Sequence, residues 1–306
     1  MNVMPRRLPR AVALAPIWRV GIRRVGFRGI GVLALALGVL WAGTSLAEPA
    51  RRVVSMNPSL TSILLALDAR PVLVGVEEHA ARLHPELASL PLVGGFFNPS
   101  LEAVTALEPD LVVLVPSAQQ RDFRGRIEGL GIEVLELPNI TVPEILASIE
   151  VLGARVGRAA RARERIAEIR AAFAAARRTT ESLPPVRTLV VLQRDPLFVV
   201  GGGSFIAEIL HAAGAENAAA EFSAPYPRVA LEWAVTAAPD VILDASDDPD
   251  DAGFWARLGS IPAVANGRIF PVDGARFTYP GPYLDRTLER VLEILHGSAA
   301  PAGGAE

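Results

Sequence analysis

Two segments of the chain repeat one another, and this repeat constrains the fold more than any other sequence feature. Residues 101–114 read LEAVTALEPDLVVL, and residues 231–244 read LEWAVTAAPDVILD. Leu, Glu, Pro and Asp recur at equal spacing, and an apolar run follows each Pro-Asp pair. A chain that contains the same segment twice is predicted to fold as two similar lobes.

The first 47 residues have the composition of an export signal. Residues 1–28 carry seven Arg and no acidic residue, and the apolar run IGVLALALGVLWA follows at 30–42. A charged segment before an apolar one is typical of a secretory signal peptide, and Ser45-Leu46-Ala47 offers small residues to a signal peptidase. We therefore predict a signal peptide that is cleaved after Ala47 and a mature protein in the periplasm. The alternative is an uncleaved membrane anchor, because residues 29–47 approach the roughly 20 apolar residues that cross a bilayer.

The composition of the remaining chain excludes several classes of protein. Without residues 1–47 the chain carries 23 Arg and no Lys against 33 acidic residues, a net charge of −10. Nucleic-acid binding needs a basic patch, so we expect no nucleic-acid partner. The chain has no Cys, which excludes disulfides and a lipid-modified Cys at the cleavage point. Because the four His residues of the chain are scattered along the sequence, we do not expect a zinc site with four ligands either.

The order of the predicted elements indicates an α/β fold. Residues 52–138 alternate short apolar strands with helices, and continuous apolar strands are typical of a parallel sheet covered on both faces. Residues 156–181 contain no Pro and are rich in Ala, Arg and Glu; as one helix they would span about 39 Å. A second β/α series follows as far as residue 295. We predict two Rossmann-like lobes joined by a single long helix, with a ligand cleft between the lobes.

These patterns give predicted domain boundaries. They are a signal peptide at 1–47, an N-terminal lobe at 48–155, a bridging helix at 156–181, a C-terminal lobe at 182–298 and a flexible tail at 299–306.

Four longer segments make the chain resemble a known family: RRVVSMNPSLTSILLAL, VGGFFNPSLEAVTALEPDLVV, VVGGGSFIAEILHAAGAEN and YPRVALEWAVTAAPDVIL. The chain resembles the periplasmic binding proteins that deliver vitamin B12, haem and iron–siderophores to ABC importers. The likeness spans residues 51–295 and is nearest to the cobalamin branch. It implies no catalysis, no resident cofactor, a monomer, and the importer's transmembrane permease dimer as partner. A corrinoid is the implied ligand, with haem or a ferric siderophore as the alternative.

The resemblance also implies aromatic ligand contacts. Phe96 and Tyr226 stand where aromatic residues lie against the corrin, and Phe198 matches another aromatic residue near the site. Aromatic faces suit a flat apolar macrocycle, whereas most Phe side chains are simply core residues. Phe97 is assigned to the core, because adjacent side chains of an extended segment point to opposite sides.

Polar contacts are expected from six further residues. Gly202 and Ser204 lie in a Gly-rich turn before a helix, where backbone donors could approach the phosphate and amide groups of a corrinoid. His79 stands where relatives often carry Tyr or Cys and could ligate cobalt or iron; the alternative is a solvated loop His. Arg276, with Arg194 and Arg228, is expected in loops that line the cleft, where Arg suits carboxylate or phosphate; the alternative is a solvated surface Arg.

Glu102 and Glu232 occupy matching positions in the two repeats. The resemblance implies that both lie on the exposed rim and meet Arg residues of the two permease subunits. The alternative is that each complements the dipole of its helix. An enzyme on a Rossmann-like scaffold remains a rival class, although no GxSxG or HExxH motif supports it.

Overall fold

The computed structural model describes residues 48–246 and 251–297, without the side chains of 251 and 252. The predicted signal peptide and tail lie outside these residues. Within them, no helix is both long and apolar enough to span a membrane.

The N-terminal lobe is built on a parallel sheet of four strands. The strand order is β2-β1-β3-β4, and all three pairings are parallel. Its strands are β1 (Val53–Ser55), β2 (Leu73–Val76), β3 (Leu111–Leu114) and β4 (Glu133–Glu136). Its helices are α1 (Pro58–Ala66), α2 (Glu78–Leu83), α3 (Leu101–Ala106), α4 (Arg121–Gly129) and α5 (Val142–Arg155), with 3-10 turns at Arg70–Val72 and Pro85–Leu87.

The C-terminal lobe contains a second sheet with a long strand, β5, near its centre. Strand β5 pairs in parallel with β7 and β8, and β8 pairs in parallel with β9, whereas β6 is antiparallel to β5. Its strands are β5 (Val186–Gln193), β6 (Phe198–Val199), β7 (Ala215–Asn217), β8 (Val241–Asp244) and β9 (Ile269–Pro271). Its helices are α7 (Phe205–Ala212), α8 (Leu231–Ala237), α9 (Asp251–Ala256), α10 (Pro262–Ala265), α11 (Gly274–Thr278) and α12 (Leu284–His296).

One long helix, α6 (Ala159–Thr180), joins the two lobes. It starts three residues later than the predicted 156–181, because α5 ends in a turn at Gly157, whose φ is 69°. The residues that α6 buries recur every three or four positions and form one stripe: Ala162, Arg165, Ile166, Ile169, Phe173, Ala176 and Thr180. This stripe packs against α5 on the N-terminal side and against α7 and α12 on the C-terminal side.

The apolar residues of each strand alternate between two cores. Val53 and Val113 belong to a core that extends through α6 to Val190 and Leu243 of the other lobe. Their neighbours Val54 and Val112 face a separate core of the N-terminal lobe, and Leu189 and Ile242 face a separate core of the C-terminal lobe. Each sheet is therefore covered on both faces, as predicted from its continuous apolar strands.

The repeated segments fold alike in the two lobes. Each forms a short helix and then a central strand, α3 with β3 and α8 with β8. Between helix and strand, Glu108 and Ala238 adopt the same left-handed conformation, with φ values of 45° and 46°. An Arg side chain donates a hydrogen bond to a backbone carbonyl at the end of each of these helices. Arg52, just before β1, donates from Nε to the carbonyl of Leu107, and Arg187 of β5 donates from Nε to the carbonyl of Ala237. The sequence repeat is thus a structural repeat.

Candidate ligand-binding cleft

The loops at the carboxyl ends of the strands carry the candidate residues. In open α/β sheets, ligands bind at this edge. His79 and Phe96 follow β2, Arg194 follows β5, and Arg276 follows β9.

His79 makes a direct contact between the two lobes. Its Nε2 is hydrogen-bonded to the hydroxyl of Tyr279, which follows α11. The two rings meet edge to face, with centroids 5.4 Å apart. His79 is therefore not a free loop side chain, which was the alternative from sequence. The sequence analysis did not single out Tyr279, although it lies in the Pro- and Gly-rich segment TYPGP just before a predicted helix.

Glu77 fixes the start of the helix that carries His79. Its carboxylate accepts hydrogen bonds from the backbone N–H groups of His79 (2.8 Å) and Ala80. Burial raises the pKa of Glu77, and the two backbone hydrogen bonds lower it in part. The position of His79 is thus set by a buried carboxylate at the end of β2.

The sequence prediction that Phe97 is a core residue is wrong, because Phe96 is the more buried of the two adjacent Phe residues. Phe97 is 79% exposed and is not a core residue, whereas Phe96 is half-buried and packs against the main core. Their rings meet edge to face at 5.1 Å. Rings in contact at this distance do not point to opposite sides, contrary to the expectation, and Phe97 is the more exposed of the two.

Gln120, which sequence reasoning did not single out, holds the loop of Phe96. It is 1% exposed, and its Nε2 donates to the backbone carbonyl of Phe96 at 3.0 Å. Its Oε1 is buried and has no hydrogen-bond partner. A lone Gln in a loop carries no sequence signal, so only the fold brings it beneath Phe96.

Tyr226 and Phe198 lie close together on the C-terminal lobe. An antiparallel bridge joins Phe198 to Arg228, two residues after Tyr226. The side chain of Tyr226 is 37% exposed, and desolvation raises the pKa of its hydroxyl to about 12. Tyr226 is therefore a neutral aromatic side chain with an accessible part of its ring, whereas Phe198 is half-buried.

Two N–H groups of the Gly-rich turn, including that of Gly202, are used within the protein and are not free donors as the sequence suggested. The N–H of Gly201 donates to the carbonyl of Pro225 (2.9 Å), and that of Gly202 to the carbonyl of Phe222 (2.8 Å). A Cβ at Gly202 would lie 2.7 Å from the Ala220 carbonyl oxygen. The glycines therefore allow close packing of residues 220–225 against the turn.

Ser204 also differs from its expected role. It is 1% exposed, its hydroxyl donates to the carbonyl of Gly201, and its oxygen accepts from the N–H of Ala207. Ser204 is thus the buried N-cap of α7.

Arg194 is buried, which neither sequence interpretation anticipated. Its Nε donates to Asp244 Oδ2 at 2.9 Å, and both side chains are 2% exposed. Asp244 also accepts hydrogen bonds from Trp255 Nε1 and from the N–H and hydroxyl of Ser246. A buried charge pair needs such additional bonds, so Arg194 and Asp244 stabilise the end of β8. Arg228, by contrast, is exposed.

Arg276 lines a cavity of about 610 Å³ between the lobes. The cavity lies between α1 and the end of α2 on one side and β9, α11 and α12 on the other, and Tyr279 also lines it. Arg276 is 86% exposed and pairs with Asp273 at 3.4 Å. Phe96, Phe198 and Tyr226 do not line this cavity, so it lies beside the aromatic part of the cleft.

A serine and a histidine also meet beside this cavity. Ser62 Oγ lies 2.7 Å from His84 Nε2, and His84 Nδ1 lies 3.6 Å from Glu86. Such an order of groups occurs in serine nucleophiles. Here, however, the Ser62 hydroxyl also bonds the carbonyl of Pro58 one turn earlier in α1, at 2.9 Å. We therefore assign this contact to packing between α1 and the end of α2.

Glu102 and Glu232 are exposed in the first turns of α3 and α8. Neither carboxylate makes an ion pair or hydrogen bond with the described residues. Ser100 Oγ caps α3, whereas α8 has no side-chain cap. Both carboxylates are thus available to a partner.

Residues 48–246 and 251–297 contain no group of three or more His, Asp or Glu residues placed to hold a metal ion.

Comparison with known proteins agrees with this architecture. The sequence profile of the family described as periplasmic binding protein matches residues 53–275. A "Vitamin B12-binding protein" of Vibrio parahaemolyticus is 26% identical over 264 residues, which cover 86% of this chain and 94% of the relative.

Solved structures share the fold. The periplasmic vitamin B12 binding protein BtuF of Vibrio cholerae superposes with a TM-score of 0.71 at 24% identity, covering 81% of this chain and 97% of BtuF. The periplasmic heme-binding protein RhuT from Roseiflexus gives a TM-score of 0.70 at 23% identity, covering 82% of this chain and all of RhuT. With the family profile matching most of the two-lobed region, this chain belongs to the periplasmic binding protein family.

Proposed function

We propose that this protein captures a corrinoid in the periplasm and delivers it to an ABC importer. The observation that carries the proposal is the pair of accessible aromatic faces, Phe97 on one lobe and Tyr226 on the other. A corrin is a broad, flat macrocycle, and aromatic faces bury much of its area at little cost in conformational entropy. The relatives named vitamin B12-binding proteins support this ligand class.

The remaining candidate residues have supporting roles in this proposal. Phe96 packs against the ring of Phe97, and Phe198 supports the loop of Tyr226. His79 contacts the other lobe through its hydrogen bond to Tyr279. Arg276 lies at the edge of the site. Gly202 and Ser204 shape the turn below it rather than contact the ligand.

Haem is the alternative ligand, and one observation favours it. His79 and Tyr279 are both side chains that can bind haem iron, and they meet between the lobes. Cobalt of a corrinoid can also accept an imidazole ligand, so the His alone does not separate the two ligands.

Delivery requires a surface that the importer recognises. Glu102 and Glu232 lie at equivalent points of the two lobes, so a twofold permease could contact both in the same way. Exposed charges of this kind steer docking and set its register more than they add affinity. We propose that the protein works by binding and release, without turnover of its ligand.

A direct titration tests the ligand. Cobalamin, haemin and a ferric siderophore would each be added to the purified chain that begins at Glu48, and the ligand spectra and Trp fluorescence followed. We expect saturable binding of cobalamin with one ligand per chain. Saturable binding of haemin with no response to cobalamin would reject the corrinoid proposal in favour of haem.

A further inference from the structure

The cavity beside the cleft carries an excess of positive charge. Its charged lining residues are Arg276, Arg286, Arg290 and Asp273, and His84 also lines it. With His84 neutral, three cations face one carboxylate. This is unexpected in a chain whose acidic residues outnumber its basic residues, so it points to an anionic occupant.

Arg286 differs from the other two arginines of the cavity. Arg276 pairs with Asp273, and Arg290 pairs with Glu293 at 3.0 Å. Arg286 makes no ion pair within the described residues; its guanidinium instead lies over the ring of Tyr283, 4.5 Å from the centroid. A guanidinium held by an aromatic ring keeps its N–H donors available to an anion.

The cavity also offers surfaces that suit a flat group. Tyr279 and Tyr283 line it, and its volume of about 610 Å³ is in the range of pockets that hold small molecules. Ser59 and Ser62 of α1 line it from the N-terminal lobe. The combination suits a ligand group in which an anion and a planar ring are close together.

The cavity adjoins the aromatic part of the cleft through a short series of contacts. Tyr279, which lines the cavity, bonds His79. The N–H of Glu78, the residue before His79, donates to the carbonyl of Gly94 at 3.2 Å, and Gly94 begins the loop that carries Phe96. The wall of the cavity and the loop of Phe96 are therefore linked by direct contacts.

We propose that this cavity, which we call the Arg286 cavity, binds the nucleotide tail of a complete corrinoid. Arg286, held by the ring of Tyr283, contacts the phosphodiester, and the ring of Tyr279 flanks the planar base. This assignment rests on the proposed function and adds to it a preference for corrinoids with the tail over corrinoids without it.

The test compares cobalamin with cobinamide, the corrinoid that lacks the nucleotide tail. Dissociation constants would be measured at low salt for the wild type, Arg286→Gln and Arg286→Lys. Arg257→Gln is the matched control, because Arg257 is also exposed and lies 4.8 Å from the centroid of the Phe254 ring but does not line the cavity. We expect the wild type to prefer cobalamin by about twofold to fivefold, the range of a single exposed charge contact.

In Arg286→Gln this preference should disappear through weaker cobalamin binding, while cobinamide affinity stays the same. Arg286→Lys should retain part of the preference, Arg257→Gln all of it, and added salt should reduce it in the wild type. If Arg286→Gln leaves the ratio of the two affinities unchanged, the assignment of the Arg286 cavity is wrong. If the wild type binds neither corrinoid, the proposed function fails and this assignment fails with it.

Discussion

His79 of the N-terminal lobe and Tyr279 of the C-terminal lobe are joined by a side-chain hydrogen bond across the cleft. The lobes also meet at the start of α7, where the N–H of Phe205 donates to the carbonyl of Ile140 at 2.7 Å, whereas the bond from His79 to Tyr279 joins them at the loop edge of the cleft. A ligand that enters between the lobes has to rearrange or accommodate it.

Removing the Tyr279 hydroxyl tests this role. In Tyr279→Phe the ring remains and the bond to His79 is lost, which should lower the free energy of unfolding by about 0.5–1.5 kcal/mol. Hydrogen exchange should increase in α2 and in residues 274–279. Tyr283→Phe is the control, because the described contacts of Tyr283 involve its ring and backbone rather than its hydroxyl. Equal exchange in the two variants would show that the bond does not hold the lobes.

The exposed aromatic residues should contribute to ligand affinity. Phe97→Ala and Tyr226→Ala are each expected to weaken corrinoid binding by about 1–3 kcal/mol, the scale for losing a stacked aromatic contact. Phe97→Ala should leave thermal stability unchanged, since its side chain is 79% exposed. Phe96→Ala should lower both affinity and stability, because Phe96 packs on the core.

Leu130→Ala is the control for this series, as Leu130 is an exposed apolar residue at the end of α4, away from the loops of the cleft. Isothermal titration measures the corrinoid affinity of the four variants for this comparison. Full affinity in both Phe97→Ala and Tyr226→Ala would place the ligand elsewhere.

Gln120 should influence binding through Phe96. Gln120→Leu removes the hydrogen bond to the Phe96 carbonyl, so the loop is less firmly placed and ligand affinity should fall severalfold. The change should be smaller when Phe96→Ala is already present, whereas it should add fully to Tyr226→Ala. The two double-mutant cycles are measured by ligand titration, and equal coupling in both would indicate general loss of structure instead.

The stability of the protein should depend on the protonation of His84. Burial lowers the pKa of His84 from its usual value of 6.5, with Glu86 acting in the opposite direction. The unfolded chain then binds the proton more readily, so this contribution to stability is present above about pH 6.5 and is lost as the pH falls toward the folded pKa.

Urea unfolding of the wild type and His84→Gln at several pH values between about 7 and 5 measures this effect. Glu77, whose pKa is raised by burial, contributes in the opposite direction in both proteins, so the difference between them isolates His84. We expect the wild type to lose more stability on acidification than His84→Gln. Parallel pH profiles of the wild type and His84→Gln would contradict the assignment.

The sequence predicted the fold well because its signals are local and repeated. Local patterns predict each element without information about contacts between distant residues. These patterns are the apolar runs, the two copies of the Leu-Glu…Pro-Asp segment and the Pro-free stretch near α6. The bridging helix starts three residues later than predicted, after the turn at Gly157, and ends one residue earlier, at Thr180.

The site was less predictable, because it depends on contacts between distant residues. The sequence around Phe96 and Phe97 does not indicate which of the two rings packs against the core. The bond from Gln120 to the Phe96 loop and the pairing of Arg194 with Asp244 are set by the folded sheet. The Gly-rich turn suggested a ligand contact, whereas the N–H groups of Gly201 and Gly202 donate to carbonyls of residues 222–225. No local sequence pattern reveals this packing.

The central claim, that the protein hands a corrinoid to an importer through both lobes, is tested most directly by cobalamin uptake in vesicles. The cognate importer would be reconstituted, and uptake of labelled cobalamin measured with the wild type and with the double variant Glu102→Arg, Glu232→Arg. We predict uptake that requires the wild-type protein, and loss of uptake with the double variant although its cobalamin affinity and thermal stability are unchanged. Undiminished uptake with the double variant would contradict the account and leave the two carboxylates as ordinary first-turn residues of their helices.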